Sequence, residues 1–476
     1  MAAIESYPPM IKKLRIFLWM FLPLAALAQI GSEKAKGPRP NILFILADDL
    51  GYGDLGCYGQ QKIATPNIDR LASQGMRFTQ FYAGASVCAP SRSVLMTGIH
   101  NGHGRVRDNL PHGVHLKPWD VTVAEVLQRA GYRTGGFGKW GLGDHGNSGT
   151  PWLKGFEEFY GYLNQDHAHI YYTDFLWDTD RIVLLRGNRG ERRQEYVPDL
   201  LTERALAFID RTRDDSRPFF LYYPTILPHF SDYSGKTSDS LIVPSDAPYS
   251  SRDWPQVEKN YAAMITRLDH DVGRLLDRLE KLGIADKTLV IFSSDNGPSA
   301  ESLHRPDFFK SAGKLRGVKR ELYEGSIRVP AIMRWPGTIM AGAVNETIAG
   351  FVDIMPTFAE LAEAAAPAGI DGLSFAPILR GSQPARTHEY LYWDYGHVRP
   401  RFLQAARAGK WKVVRNGLDQ PVELYDLEQD PAENRNVAGQ YPEVSARMKA
   451  ILAEAFVPSP DFPLKSVDSK SRESVR

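Results

Sequence analysis

The sequence contains few cysteines, almost no net charge and few long hydrophobic runs. Only Cys57 and Cys88 occur among 476 residues, which excludes a framework of disulfide bonds. Lys and Arg number 57 against 56 Asp and Glu, leaving a net charge of +1. Total charge therefore gives no indication of a nucleic-acid partner or a membrane-surface partner. Beyond the N-terminus, no apolar run approaches the roughly 20 residues that a membrane helix needs, so we expect no membrane span.

The remaining composition is that of a folded protein. Hydrophobic residues make up 43% and charged residues 24% of the chain, both ordinary proportions for a globular protein. These values exclude a disordered, coiled-coil or collagen-like chain. The length allows one large domain or two domains.

The N-terminal segment has the pattern of a secretory signal. Lys12, Lys13 and Arg15 precede an apolar run over Ile16–Ala28 that ends in A-L-A, the small-residue pattern of a cleavage site. The run is shorter than a membrane helix, although an uncleaved anchor is the alternative interpretation. We predict a signal peptide over residues 1–28 and export to the periplasm or the medium.

Continuous apolar runs that alternate with helical patterns predict an α/β fold. Such runs are typical of strands buried on both faces of a parallel sheet. A long amphipathic helix is expected after Trp254-Pro255 and ends before Gly283. The alternation indicates a large doubly wound sheet flanked by helices. The predicted strands lie at Asn41–Ala47, Pro218–Tyr223 and Thr288–Ser293, with weaker ones near Arg133–Phe137 and Val329–Met333.

After about residue 365 the pattern changes to short aromatic segments. These predict a smaller C-terminal α+β domain, with an antiparallel sheet and a packed helix. The expected organisation is a catalytic domain over 38–365, a second domain over 366–460 and a disordered tail over 461–476. The predicted elements of the second domain are strands at Glu389–Tyr395, Lys410–Arg415 and Pro421–Asp426 and a helix at Glu443–Ala455.

Acidic residues directly follow two of the predicted strands. Asp48 and Asp49 come after N-I-L-F-I-L-A, and Asp295 and Asn296 come after T-L-V-I-F-S-S. Ligands of open α/β sheets bind beyond the carboxyl ends of the strands, so we expect these side chains to meet. Three carboxylates and an amide repel one another without a cation between them, and their oxygens suit Ca²⁺ or Mg²⁺ rather than Zn²⁺. The alternative is ordinary turn chemistry.

Cys88 lies in C-A-P-S-R, followed by S-V-L-M-T-G. From the residues alone, it is either a plain buried thiol or a thiolate nucleophile whose pKa is lowered by Arg92. The pattern closely resembles the signature of type I sulfatases of the alkaline phosphatase-like superfamily, in which this cysteine is oxidised to Cα-formylglycine. The resemblance runs from about Asn41 to about Ala438 and includes T-P-N-I-D-R-L-A, G-K-W, S-S-D-N-G, Y-E-G-S-I-R-V-P and L-Y-D-L-E-Q-D-P.

The resemblance implies a metal site and a modified nucleophile. One Ca²⁺, or less often Mg²⁺, would be bound by Asp48, Asp49, Asp295, Asn296 and the formylglycine made from Cys88. It also implies a mixed sheet of the alkaline phosphatase and sulfatase type. A formylglycine-generating or anaerobic sulfatase-maturing enzyme is then the implied partner that modifies the cysteine.

Four further residues match positions at which the family binds sulfate and the hydrate of formylglycine. Arg92 matches the arginine that holds the hydrate, and Lys139 and Lys319 match lysines that grip sulfate. His229 matches the histidine near the leaving-group oxygen. One hydroxyl of the hydrate attacks sulfur with Asp295 as base, while His229 or Lys319 protonates the departing alcohol. The second hydroxyl then expels sulfate, whereas a serine would remain as a stable ester.

The chain departs from the family at one catalytic position. The family usually reads G-K-W-H-L-G, with a histidine that contacts the hydrate, but here Gly141 takes its place. This departure leaves the release of sulfate without its usual imidazole. Asp144 and His145 are close enough in sequence to be candidates for a substitute. A catalytically impaired, sulfate-binding relative is the competing interpretation.

The leading functional prediction is an exported hydrolase of sulfuric esters that acts on a sulfated carbohydrate during glycan degradation. A galactose-type 4-sulfate is the more specific expectation. The candidate substrate contacts are His100, Arg105, His167 and His169, with ordinary loop residues as the alternative for each. A formylglycine-dependent phosphodiester or phosphonate monoester hydrolase is the alternative enzyme, because sulfate and phosphate esters are nearly isosteric. A non-catalytic carbohydrate-binding protein is the third hypothesis.

Overall fold

The computed structural model describes residues 39–109, 114–190, 192–212, 215–234 and 240–464. The predicted signal peptide over residues 1–28 lies outside the described residues. Within the described part of the chain, no helix combines the length and apolar character needed to cross a bilayer.

Sixteen strands and ten helices are described below, numbered along the chain. The strands are β1 Asn41–Ala47, β2 Met76–Phe78, β3 Phe81–Tyr82, β4 Arg133–Lys139, β5 Glu158–Tyr162, β6 Phe175–Asp178, β7 Arg181–Leu184, β8 Phe219–Pro224, β9 Thr288–Ser294, β10 Ala331–Arg334, β11 Ala343–Asn345, β12 Ala349–Gly350, β13 Leu391–Tyr395, β14 Leu403–Ala408, β15 Trp411–Arg415 and β16 Val422–Asp426. The helices are α1 Pro66–Gln74, α2 Cys88–Thr97, α3 Val123–Arg129, α4 Val197–Thr212, α5 Gln256–Lys281, α6 Pro306–Phe309, α7 Glu324–Ile327, α8 Ile354–Leu361, α9 Ala376–Leu379 and α10 Pro442–Glu454.

A ten-stranded sheet forms the centre of the molecule, in the order β11-β2-β10-β9-β1-β8-β4-β5-β6-β7. Strands β9, β1, β8, β4 and β5 are parallel to one another, whereas β10 and β6 run antiparallel to their neighbours. The mixed α/β sheet is therefore confirmed, as are the five predicted strands and the long helix α5. The weaker run near Val329 forms β10 at an antiparallel position.

Alternate residues of β1 supply two hydrophobic cores on opposite faces of the sheet. Phe44 and Leu46 belong to the core that α2, α3 and α8 cover. Leu43 and Ile45 belong to the core that α1, α4 and α5 cover. Because a strand points successive side chains to opposite faces, a continuous apolar run is what a sheet covered on both sides requires.

The C-terminal elements form a four-stranded antiparallel sheet, β13 to β16, with α10 packed on it. The three predicted strands and the final helix are confirmed, and β14 is an additional strand that the sequence pattern did not indicate. Trp393 of β13 belongs to the same hydrophobic core as Phe44 of β1, and its Nε1 donates to the carbonyl of Ala83, just after β3, at 2.9 Å. The predicted disordered tail begins at 461, yet Phe462 is buried. Residues 465–476 lie outside the described part.

Candidate active site

The carboxyl ends of β1 and β9 lie side by side, because Ala47 pairs with Ser294 in the parallel register. The residues that follow are therefore brought together. The Asp49 backbone N–H donates to Oδ1 of Asp295 at 3.1 Å, and Nδ2 of Asn296 donates to Oδ1 of Asp49 at 2.7 Å. Asp49 adopts a φ of 65°, a left-handed conformation that costs backbone strain and is found most often at functional sites.

Cys88 is the first residue of α2 and is 0% exposed. Its Sγ lies 3.4 Å from Oδ1 of Asp48, so the helix delivers residue 88 to the carboxylates of the sheet edge. Burial, together with the charge of Asp48, raises the pKa of the Cys88 thiol. The thiol is protonated at neutral pH, which disfavours the interpretation as a thiolate nucleophile.

Arg92 lies one helical turn beyond Cys88 and is completely buried. Its Nε and Nη2 donate to Oδ2 of Asp295 at 3.1 and 2.7 Å, and Nη1 donates to the carbonyl of Lys139 at 2.7 Å. The guanidinium therefore joins the ends of β4 and β9 to the helix that carries Cys88.

Two buried lysines contact the outer oxygens of the aspartate pair. Nζ of Lys139 lies 2.8 Å from Oδ2 of Asp48, and Nζ of Lys319 lies 2.9 Å from Oδ2 of Asp49 and 3.2 Å from Oε2 of Glu301. Burial alone would raise the pKa of Asp48, but the surrounding cationic groups, Lys139 first, outweigh burial and hold it well below its usual range. The site thus contains the positive charge that binding of an anionic ester requires.

The hydrogen bonds of His229 define its tautomer. Its Nδ1 lies 2.6 Å from the carbonyl of Phe230, so Nδ1 carries the proton and donates it there. Its Nε2 lies 3.0 Å from Nζ of Lys319 and accepts from that ammonium. Burial, and then the charge of Lys319, lowers the pKa of His229, which keeps the imidazole neutral.

The residues at the sheet edge fit a divalent cation. Ligand atoms of Asp48, Asp49, Cys88 and His229 all lie within 4.8 Å of one another. Oδ1 of Asn296 is buried and has no hydrogen-bond partner among the described residues, although it lies in the same cluster. Burial, and then the neighbouring Asp48, raises the pKa of Asp295 to about 7. Carboxylate and amide oxygen donors of this kind suit Ca²⁺ or Mg²⁺.

One of the four predicted substrate contacts lies at this site. The His169 ring is 4.5 Å from the His229 ring, and its Nδ1 is 2.7 Å from Oδ2 of Asp232. His167 is buried away from the metal cluster, where Nε2 pairs with Thr173 at 2.8 Å.

The other two predicted substrate contacts have partners of their own. Arg105 pairs with Asp120 at 2.8 Å and with Asp461 at 3.0 Å. His100 follows the far end of α2 from Cys88, and its backbone N–H donates to Asp371 at 2.9 Å. The structure therefore does not bring these two residues to the metal cluster.

The loop after β4 shows which residue fills the space beside Gly141. Oδ2 of Asp144 accepts from Asn164 at 2.9 Å, and the His145 ring stacks on Trp177 at 4.8 Å, so both candidate substitutes have partners of their own. The side chain against Gly141 is that of Gln165, which the sequence reasoning did not single out. Its only sequence signal was its place in the polar stretch N-Q-D-H-A-H.

Known proteins match nearly the whole described chain. The sulfatase family model matches residues 40–364, and a model described as N-sulphoglucosamine sulphohydrolase, C-terminal, matches residues 318–457. Arylsulfatase A of Homo sapiens is 35% identical over 482 residues, covering 91% of this chain and 90% of that protein. N-acetylgalactosamine-6-sulfatase of Canis lupus familiaris is 33% identical over 435 residues, covering 83% of this chain and 75% of that protein.

A solved structure gives the same result for the fold. The crystal structure of Ps i-CgsB in complex with k-i-k-neocarrahexaose superposes with a TM-score of 0.73 at 27% identity. The match covers 90% of this chain and 94% of that one.

Proposed function

The chain belongs to the sulfatase family and is a sulfatase enzyme, and on that basis we propose that it hydrolyses sulfate esters of a carbohydrate through a formylglycine made from Cys88. One observation carries this proposal. Residue 88 is buried between carboxylates that suit a cation and the cationic side chains of Arg92, Lys139 and Lys319. A sulfate ester is an anion, and this arrangement places positive charge around a neutral nucleophile.

The metal in this proposal is Ca²⁺, bound by Asp48, Asp49, Asp295, Asn296 and residue 88. Ca²⁺ accepts more oxygen ligands and a less regular geometry than Mg²⁺, which suits side chains drawn from two strand ends and a helix. The cation supplies charge that polarises the ester and offsets the aspartates.

The hydrated formylglycine supplies two hydroxyls, one to attack sulfur and one to expel sulfate afterwards. Around it, Arg92 and Lys139 hold the anionic group in line with residue 88, since both are buried and hydrogen-bonded to the aspartates. Asp295 accepts a proton as the base, since its carboxylate lies beside Asp48 and Arg92 at the edge of the sheet where residue 88 is held.

The departing alcohol needs a proton, and the geometry favours Lys319 as its source. His229 is neutral and its Nδ1 proton is committed to the carbonyl of Phe230. The remaining proton between the two residues resides on Nζ of Lys319. Burial alone would lower the pKa of this lysine, but the neighbouring anionic groups, Asp49 first, together outweigh burial and raise it. His229 then orients the ammonium towards the leaving group.

A sulfated sugar is the proposed substrate class, with a galactose-type 4-sulfate as the specific candidate. The relatives named for N-acetylgalactosamine 6-sulfate and the structure with a bound neocarrahexaose support sulfated carbohydrates in general. His169 beside His229 offers an imidazole at the mouth of the site that can bond a sugar hydroxyl.

The test is a screen of defined sulfated mono- and disaccharides. The protein is co-expressed with a formylglycine-generating or anaerobic maturing enzyme, peptide mass establishes the aldehyde at residue 88, and released sulfate is measured by ion chromatography. We expect release from at least one galactose-type sulfate, none from Cys88→Ala and near-normal release from Cys57→Ala. No release from any sulfated sugar, with the aldehyde present, would refute the proposal; cleavage of an aryl phosphodiester instead would support the alternative hydrolase.

Export is part of the same proposal and has a separate test. The charged and apolar pattern over residues 12–28 supports a cleaved signal. N-terminal sequencing of protein recovered outside the cytoplasm should find a start shortly after Ala28. An intact N-terminus on protein that stays in the cytoplasm would contradict export.

A further inference from the structure

Gly141 follows β4 and forms part of the floor of the candidate active site. Its N–H donates to the carbonyl of Leu163 at 2.9 Å, which continues the pairing of β4 with β5 beyond the strand ends. Its φ is +78°, a left-handed conformation that glycine adopts without strain. Position 141, where the family carries a histidine, therefore lies close to the segment that follows β5.

A side chain at position 141 would point into the catalytic cluster. A Cβ there would lie 3.9 Å from Cδ of Arg92, an ordinary van der Waals distance, but it would overlap Nε2 of Gln165. The carboxamide of Gln165 thus occupies the space that the imidazole of the family would use.

Gln165 is only 7% exposed, yet its polar atoms lack partners. Neither Oε1 nor Nε2 has a hydrogen bond to any of the described residues. Leaving a buried amide unpaired costs about 1–3 kcal/mol, and the great majority of buried polar groups are paired. The unpaired carboxamide of Gln165 lowers stability in the absence of a ligand. Its position beside Arg92 therefore indicates that it hydrogen-bonds a bound ligand.

The residues around Gln165 hold its backbone in place. Nδ2 of Asn164 donates to Oδ2 of Asp144 at 2.9 Å, and the His167 N–H donates to Oδ1 of Asn164 at 2.9 Å. The neighbours on both sides are thus fixed by hydrogen bonds while the Gln165 side chain is left free of them. This pattern fits a positioned binding group better than an incidental loop residue.

We propose that Gln165 replaces the missing imidazole of the family and hydrogen-bonds the sulfate group beside Arg92. The inference rests on the proposed function and goes beyond it by assigning a residue to the vacant catalytic position. An amide donates and accepts hydrogen bonds but does not gain or lose a proton near neutral pH. Gln165 therefore orients the reacting group and leaves proton transfer to Asp295, Lys319 and solvent.

The first test separates binding from turnover. In a Cys88→Ser background, which has no turnover, calorimetry with inorganic sulfate as the probe should show an affinity about tenfold weaker in Gln165→Ala, because one hydrogen bond to a charged ligand is lost. The matched control is Gln61→Ala, an exposed glutamine whose removal should leave sulfate affinity unchanged. Equal sulfate affinity with and without Gln165 would overturn the inference.

The melting temperature without ligand distinguishes a ligand-binding role from a structural one. A glutamine needed for folding would lower the melting temperature when truncated. Gln165→Ala removes two unpaired buried polar atoms, so we expect an equal or higher melting temperature without sulfate and a smaller rise on adding it. A large drop without ligand would show a structural residue instead.

Catalysis supplies the third measurement, in matured enzyme with a substrate found by the screen. Gln165→Ala should lose about 10–100-fold in kcat/KM, and Gly141→His combined with Gln165→Gly should recover part of that loss. The double variant should also add an ionisation near pH 6–7 to the kcat profile, because it introduces an imidazole. An active wild type with an unaffected Gln165→Ala overturns this inference, whereas an inactive wild type with the aldehyde present overturns the proposed function.

Discussion

Two of the clusters of buried carboxylates in the described part of the chain are completed in different ways. In the active site, ligand atoms of four residues face one another, while Lys139 and Lys319 contact the outer oxygens of the two aspartates. Beside the four-stranded sheet, Lys412 of β15 instead contacts both Glu324, the first residue of α7, and Glu433, which follows β16, at 3.0 and 2.9 Å. We call these three residues the Glu324 cluster.

The difference shows how burial of charge relates to function. In the Glu324 cluster a cation of the chain itself bridges the two carboxylates, and the Tyr82 hydroxyl adds a hydrogen bond to Glu324 at 2.8 Å. In the active site, Oδ1 of Asn296 stays unpaired among the described residues. The carboxylates of the Glu324 cluster thus share a lysine of the chain, whereas those of the active site also face a histidine, the side chain of residue 88 and an amide oxygen that can bind a ligand from outside.

Removing the metal should have the largest effect. We expect protein dialysed against a chelator to lose sulfatase activity to background and to recover it with Ca²⁺. Binding at 100 times Kd adds about 2.7 kcal/mol to the free energy of unfolding, so the melting temperature should also rise. Asp49→Asn should lose that rise, and Asp253→Asn, an exposed control, should keep it. If Ca²⁺ raised the melting temperature of Asp49→Asn and Asp253→Asn equally, the cation would not bind at the active-site cluster.

Replacing Lys319 should have the next largest effect. Lys319→Met removes the proposed proton source, so kcat should fall about 10²–10⁴-fold for a sugar sulfate. The loss should be much smaller for a nitrophenyl sulfate, whose leaving group departs without protonation. Lys314→Met, an exposed lysine nearby, is the control. The same loss for both substrates would argue against proton donation, and a melting curve shows whether Lys319→Met stays folded.

Replacing Lys412 should affect stability rather than chemistry. Lys412→Met leaves Glu324 and Glu433 buried without their shared cation, which should cost about 3–5 kcal/mol. The urea midpoint and the melting temperature should fall, while kcat/KM per folded molecule stays near normal at low temperature. Lys449→Met, at an exposed position of α10, should change neither value. A specific loss of kcat with normal stability would contradict the structural assignment of the Glu324 cluster.

The smallest effect should come from Asp271 on α5, a buried carboxylate that lies 3.9 Å from Nη1 of Arg274. Burial, and then the charge of Asp199, raises its pKa to about 7. Folding therefore favours the neutral acid, and this contribution to stability is complete below the unfolded pKa of 3.8 and lost as the pH rises through 7.

The Asp271→Asn variant tests this assignment. We expect its melting temperature, relative to wild type, to increase by about 2–4 °C between pH 5 and pH 8.5. Asp277→Asn, at an exposed position of the same helix, should show no such trend. A constant difference across this pH range would show that Asp271 ionises normally.

Much of the fold could be predicted because a strand that is buried on both faces of a sheet leaves a continuous apolar run in the sequence. The run that forms β1 is apolar at every position after Asn41, and the acidic pair follows directly. Strand β14, with the sequence L-Q-A-A-R-A, shows neither alternation nor an apolar run, because its small and polar residues are buried by neighbouring strands. Its existence depends on tertiary packing that no local pattern records.

The candidate site could be predicted only where residues follow a recognisable strand or motif. Gln165 is 24 positions beyond Gly141 and reaches it through the parallel pairing of β4 and β5. His100 looked close to the nucleophile in sequence, but α2 separates the two residues by about 15 Å of helix, at about 1.5 Å per residue. The pairing of β4 with β5 brings Gln165 to the active site, and the length of α2 keeps His100 away from it. Neither effect can be predicted from residue type.

For the proposed conversion of Cys88 to formylglycine, the complete burial of this side chain dictates an order of events during biosynthesis. A side chain that is 0% exposed at the start of a fully buried helix cannot enter the active site of another enzyme. Any maturing enzyme must therefore act on this segment before the strands close around it. Folding and modification compete in time, and a chain that folds first keeps its thiol for as long as the native state persists.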